Sequence, residues 1–190
     1  MTIQELFIRT NEELKKVVDQ IKDDQWDIVL PAEITFKPAN LKEAVDSHAY
    51  DDAWVPDVLA GKTKEEVGDA YDFILTATDT KATYAMYNQK AIDAVREFTD
   101  LEKIVHLSYG DFKAKEYLQH ISCYRGFRVY DLAELIGADT VMATDLVEAM
   151  WNEYAPLVDD YRAMGVFPPA IDVKDDADLQ TKLLALVGRQ

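Results

Sequence analysis

An all-α bundle is the fold this sequence predicts, and three features predict it. Apolar residues recur every three or four positions through most of the chain, the spacing that lines one face of a helix. Capping-box pairs, a Thr or Asn followed three residues later by Glu, occur at Thr2/Glu5, Asn40/Glu43 and Thr63/Glu66. Glycines follow several periodic runs, at Gly61, Gly137 and Gly165.

The first helix carries Ile3, Phe7, Leu14, Val17, Val18 and Ile21 on one face. The segment "DDQWDIVLPAEITFKPAN" breaks that pattern, and Pro31 and Pro38 mark an extended loop. A second helix opens after Asn40 through "LKEAVDSHAYDDAWV", with Pro56 expected to bend or end it. Thr63 and Glu66 start a short helical piece. A third long helix is predicted over 81–98, with Tyr84, Tyr87, Ala91, Ala94, Val95 and Phe98 inward. "LEKIVHLSYG" reads as a strand-like or extended run.

Asp111 is expected to cap a fourth long helix that stops at Gly137. A fifth begins near Thr144 or Asp145 and is expected to continue through Met150, Trp151, Tyr154 and Tyr161 to Gly165. "VFPPAIDVKDDAD" is a connector, and "LQTKLLALVG" is a last short helix packing back on the body. One domain spans 1–190: a four-helix core over 1–137, then an additional helix and C-terminal extension over 138–190.

Composition narrows the partners. Acidic residues number 36 against 20 basic ones, a formal net charge of −16, so phosphate backbones and anionic lipid surfaces are repelled. No nucleic-acid or membrane partner is expected. Cys123 is the only cysteine, which rules out an intramolecular disulfide and a thiolate zinc cage. The start, "MTIQELFIRTNEELKK", lacks the basic opening and apolar run of a signal peptide, and no apolar stretch reaches the roughly 20 residues of a membrane helix. A cytoplasmic protein is expected.

The common catalytic patterns (GxGxxG, the P-loop, GxSxG, HExxH and CxxC) are absent from the sequence. His106 reads as a loop histidine with a backbone partner, and Cys123 as a small buried hydrophobe. His48 has Asp51 and Asp52 one turn ahead, and His120 lies one turn before Tyr124. If the second and fourth helices meet antiparallel, His48, Asp51 and His120 form a candidate set for zinc, nickel or iron. Arg128 interrupts the stripe Tyr117, Ile121, Tyr124, Arg128, Leu132, Leu135, where each other step is apolar or aromatic.

Four stretches, "VLAGKTKEEVGDAYD", "VHLSYGDFKAKEYL", "YDLAELIGAD" and "DADLQTKLLALVGR", together resemble the DinB-like superfamily. The likeness is to its actinobacterial branch related to mycothiol-dependent maleylpyruvate isomerase, and it runs from about Asn40 to Arg189. It implies a four-helix bundle of up-down-down-up topology, and a divalent metal with a low-molecular-weight thiol for isomerisation or transfer chemistry. Carried over position by position, the three ligand places fall on Ser47, Tyr124 and Arg128. Serine is a poor neutral ligand, tyrosine is protonated at neutral pH, and arginine cannot coordinate a cation. "TFKPANL" stands where the family has a proline-cysteine-proline-glycine-tryptophan approach to the second helix.

Three functions follow from these readings. In the first, no metal or cofactor is bound. Arg128 occupies the former metal pocket, paired with Asp51, and Ser47, Asp51, Tyr124 and Arg128 receive a small anionic molecule or no ligand at all. In the second, the ligands have shifted to His48, Asp51 and His120, and a metal- and thiol-dependent isomerase or transferase remains. In the third, the bundle is an interaction protein acting as a homodimer, with Trp151, Tyr154 and Tyr161 on the fifth helix either as contacts or packed inward.

Overall fold

A computed structural model describes residues 1–34 and 39–190 of the chain. The described residues are mostly helical, with a single two-stranded sheet. Helix α1 (Ile3–Gln20), α2 (Leu41–Ala60) and the short α3 (Lys64–Val67) each begin with the expected capping box. Cap and third-residue glutamate satisfy each other's backbone N–H groups, which would otherwise be unpaired at the first turn. Helix α4 (Thr80–Glu97) is capped by Asp79, whose side chain accepts from Ala82 N.

Strands β1 (Ile104–Leu107) and β2 (Gly110–Lys113) pair antiparallel as a tight hairpin. Helix α5 (Ala114–Ile136) leaves the hairpin directly. After it come α6 (Thr144–Tyr154), α7 (Val158–Ala163) and α8 (Leu179–Leu186).

Four expectations about these elements are corrected. Helix α2 runs through Pro56 to Ala60 and ends at Gly61, whose φ of 86° is the left-handed conformation that glycine adopts without a Cβ clash. Asp111 lies in β2, and its carboxylate meets His106 Nδ1 at 2.8 Å; the N-cap of α5 is Lys113, two residues later than expected. His106 therefore has a side-chain partner on a strand. The predicted fifth helix is broken: Pro156 lies in a short 3₁₀ turn over 155–157 that separates α6 from α7. Pro38, one of the two loop prolines, and most of the "TFKPANL" stretch lie outside the described residues.

Hydrogen bonds at the helix ends give their directions. Lys42 Nζ at the start of α2 reaches Ala77 O just before α4, and Lys103 Nζ beyond α4 reaches Leu59 O at the end of α2; these helices run the same way. Helix α1 opposes α4: Gln4 Nε2 donates to Phe98 O, and Lys81 Nζ donates to Ile21 O. Gln25, beyond α1, donates to Ile136 O at the end of α5, so α1 and α5 run together.

Helix α1 packs on α4 and α5, and α2 packs on α4. Phe7, Leu14 and Val18 meet a shared core with Tyr84, Val95, Leu118 and Leu132. Each such side chain contributes about 1.5–3 kcal/mol on burial. Gly126 of α5 lies where a Cβ would fall 2.5 Å from Met150 Cε of α6, so the missing side chain permits the close approach. The hairpin rests on α2 and α5.

Candidate functional site

Helix α5 is buried without a break from Arg125 to Ala133, so it does not present one stripe to the core. A helix buried on several sides must enclose whatever polar residues its sequence carries. Arg125, Arg128 and Asp131 are all buried, and each finds a charged partner.

Arg125 is the residue that joins α5 to α2. Its Nη2 donates to Asp52 Oδ1 at 3.0 Å and to His48 O at 3.0 Å, and its Nη1 donates to His48 Nδ1. Asp51 Oδ2 adds a longer ion pair at 3.7 Å. His48 and Asp52 are one turn apart on the buried face of α2, so a single planar guanidinium can span both. Burial works against the Arg125 charge, but Asp52 and Asp51 outweigh it and raise its pKa.

The network continues beyond the pair. Asn88 of α4 donates to Asp52 Oδ2 at 3.3 Å and to Asn11 Oδ1 of α1 at 3.0 Å, and lies 3.3 Å from the Tyr84 hydroxyl. Asn11 in turn donates to Phe7 O. One polar layer thus touches α1, α2, α4 and α5. Burial pushes the Asp52 carboxyl up from 3.8, while the Arg125 charge and the bonds from Arg125 and Asn88 pull it back. Desolvation raises Asp51 to about 6 although 43% of its side chain meets solvent; Arg125 opposes that rise and Asp52 adds to it. Burial, then the charges of Arg125 and Arg128, hold His48 well below its ordinary value of 6.5, so its ring is neutral.

Tyr124 stands beside this layer. Its ring lies 5.1 Å from the His48 ring, with the Arg128 guanidinium 5.0 Å and the Arg125 guanidinium 5.7 Å from its centroid. Its hydroxyl accepts from Arg128 Nη2 at 3.3 Å. Arg128 does not pair with Asp51 as expected. Its carboxylate partner is Asp131, 3.3 Å away on the next turn of the same helix. Asp131 also takes two bonds from Arg189 near the end of the chain, at 2.7 and 3.0 Å. Residues three apart on a helix meet without help, and the cation beside Asp51 is Arg125.

Of the four residues expected to line one pocket, Tyr124 and Arg128 are in contact with each other, Asp51 touches Arg125, and Ser47 is half-buried in α2 beside His48. The alternative ligand set is not assembled. His120 faces the hairpin, with its Nδ1 3.2 Å from the Tyr109 hydroxyl and its ring edge-on to Phe112. His48 Nδ1 is engaged by Arg125. Among the described residues, no three His, Cys, Asp or Glu side chains gather as metal ligands.

Sequence reading missed Arg125, although a signal was present. Leu118, Ser122, Arg125, Val129 and Leu132 form a second stripe at helical spacing, and every member is buried. Cys123 is buried and burial raises its thiol pKa, consistent with a small core residue rather than a reactive thiolate. One surface hollow is lined by Met1 and residues of α1, and another lies between α1 and α4, where its lining includes Asn88 of the polar layer. The chain matches no family model, no curated protein and no solved structure.

Proposed function

We propose that the chain is a divergent, metal-free bundle of the DinB-like kind. In this reading Arg125 is a built-in cation between α2 and α5, and the surrounding residues serve small-ligand binding rather than metal- and thiol-dependent chemistry. The observation that carries this reading is the buried Arg125 guanidinium, bonded at once to Asp52, His48 O and His48 Nδ1. The helix directions support the up-down-down-up arrangement: α1 and α5 run one way, α2 and α4 the other.

The donor chemistry of the carried-over positions does not fit a divalent ion. Ser47 offers a neutral hydroxyl, Tyr124 a phenol already bonded to a guanidinium, and Arg128 a fixed positive charge. A second fixed charge, Arg125, binds the ring nitrogen of His48 that would otherwise have a free lone pair. Two guanidinium groups flanking one tyrosine oppose a further cation by direct repulsion.

Elemental analysis of protein purified without added metal tests this, together with thermal melts in zinc, nickel and EDTA. No stoichiometric metal and no metal-dependent melting shift are expected. A stoichiometric ion that disappears in His48→Ala or His120→Ala would overturn the reading in favour of the shifted ligand set.

A further inference from the structure

Three buried N–H groups around Tyr124 meet no acceptor among the described residues: His48 Nε2, Arg128 Nε and Arg125 Nε. The tautomer of His48 follows from its partner. An arginine donates only, so the Nδ1 facing Arg125 must be the accepting nitrogen, and the proton of the neutral ring is on Nε2. His48 Nε2 is therefore a donor, and His48 is fully buried. A fourth donor is close by, because the Tyr124 hydroxyl accepts from Arg128 and keeps its own proton free. Buried donors without acceptors each cost about 1–3 kcal/mol, and natural proteins leave few of them.

We propose that His48 Nε2–H, Arg128 Nε–H and the Tyr124 hydroxyl form a seat for the carboxylate of a small organic acid. The proposal rests on the metal-free reading above and names the ligand class for it. All of these groups donate, so the complementary partner is an acceptor with more than one oxygen. A carboxylate offers two oxygens in a plane and accepts charge-assisted bonds from a guanidinium. Tyr124 is 37% exposed, whereas His48 and Arg128 are buried, so the seat meets solvent at Tyr124. Charge also favours this class. Arg128 and Arg189 share the single carboxylate of Asp131, so two guanidinium groups face one acidic side chain there.

The test is an NMR titration of the full chain, labelled with nitrogen-15, with sodium formate and sodium acetate at constant ionic strength set by sodium chloride. Saturable movement of the His48 Nε2 and Arg128 Nε resonances is expected, with a matching rise in melting temperature. Arg128→Met is expected to weaken binding by about tenfold or more, the loss of one charged hydrogen bond. That variant keeps Asp131 paired with Arg189, so no buried carboxylate is left without a cation. Tyr124→Phe, at a partly exposed position, gives an independent second variant and is expected to weaken binding several-fold.

Resonances that do not move with either acid, or binding that both variants leave unchanged, would overturn the seat. Tetramethylammonium producing the same shifts would overturn it as well. Metal content measured on the same samples separates the two readings. Stoichiometric metal defeats the metal-free bundle, whereas metal-free protein that ignores carboxylates defeats only the seat.

Discussion

Arg125 and Asp52 are joined at 3.0 Å across the interface of two helices, and neither side chain exposes more than 1% of its surface. A buried pair of this kind is costly to break from one side, because the remaining charge keeps its desolvation penalty and loses its partner. Arg125→Met should therefore destabilise the protein by about 3–5 kcal/mol. Asp52→Asn combined with Arg125→Met should recover part of that loss. Urea unfolding of the two single variants and the double variant measures the coupling; strictly additive losses would show that the pair acts independently.

Acid should act in opposite directions at two neighbouring residues. The Asp51 carboxyl is raised in the folded chain to about 6 from 3.8, so the native state takes up a proton before the unfolded chain does. Wild type should gain stability relative to Asp51→Asn as pH falls through 6 towards 4. His48 is held neutral well below 6.5, so the unfolded chain binds that proton first. Stability owed to neutral His48 is present above 6.5 and is lost as pH falls below it. Unfolding free energies of wild type, Asp51→Asn and His48→Gln between pH 7.5 and pH 4, roughly the span of the two ordinary pKa values, resolve the two slopes.

The end of the chain is fastened by charge. Arg189 makes two bonds to Asp131, its guanidinium lies 5.1 Å from the Phe127 ring, and the Tyr130 hydroxyl donates to Gln190 O. Arg189→Ala should cost about 1.5–3 kcal/mol, the worth of hydrogen bonds to a charged group. Asp131→Asn should cost more, because it weakens both arginine contacts at once. Denaturation midpoints give the order, and an Asp131→Asn protein more stable than Arg189→Ala would contradict it.

Gly126 should resist substitution although its backbone is ordinary helix. A methyl group there would lie 2.5 Å from Met150 Cε, 2.7 Å from Met150 Sδ and 3.3 Å from Thr10 Cγ2. Met150 is flexible and can yield, so Gly126→Ala should lose about 1–3 kcal/mol rather than unfold the chain. Gly126→Ala with Met150→Leu should regain part of this, as read by thermal melts.

Sequence alone determined the elements whose cause is local. Thr2/Glu5, Asn40/Glu43 and Thr63/Glu66 start helices because a cap and its glutamate are three residues apart and bond only each other's backbone. Gly61 and Gly137 end helices because a left-handed residue is needed there. An arginine inside the apolar pattern of α5 was also visible, and it pointed to a buried polar layer. Which arginine crosses to α2 was decided only by the tertiary structure. Arg125 and Arg128 are one turn apart on a helix enclosed on several sides, and helical spacing does not rank two buried positions on such a helix. Packing ranked them. Arg125 faces His48 and Asp52, while Arg128 finds Asp131 on its own helix and shares it with Arg189 from 58 residues further along the chain.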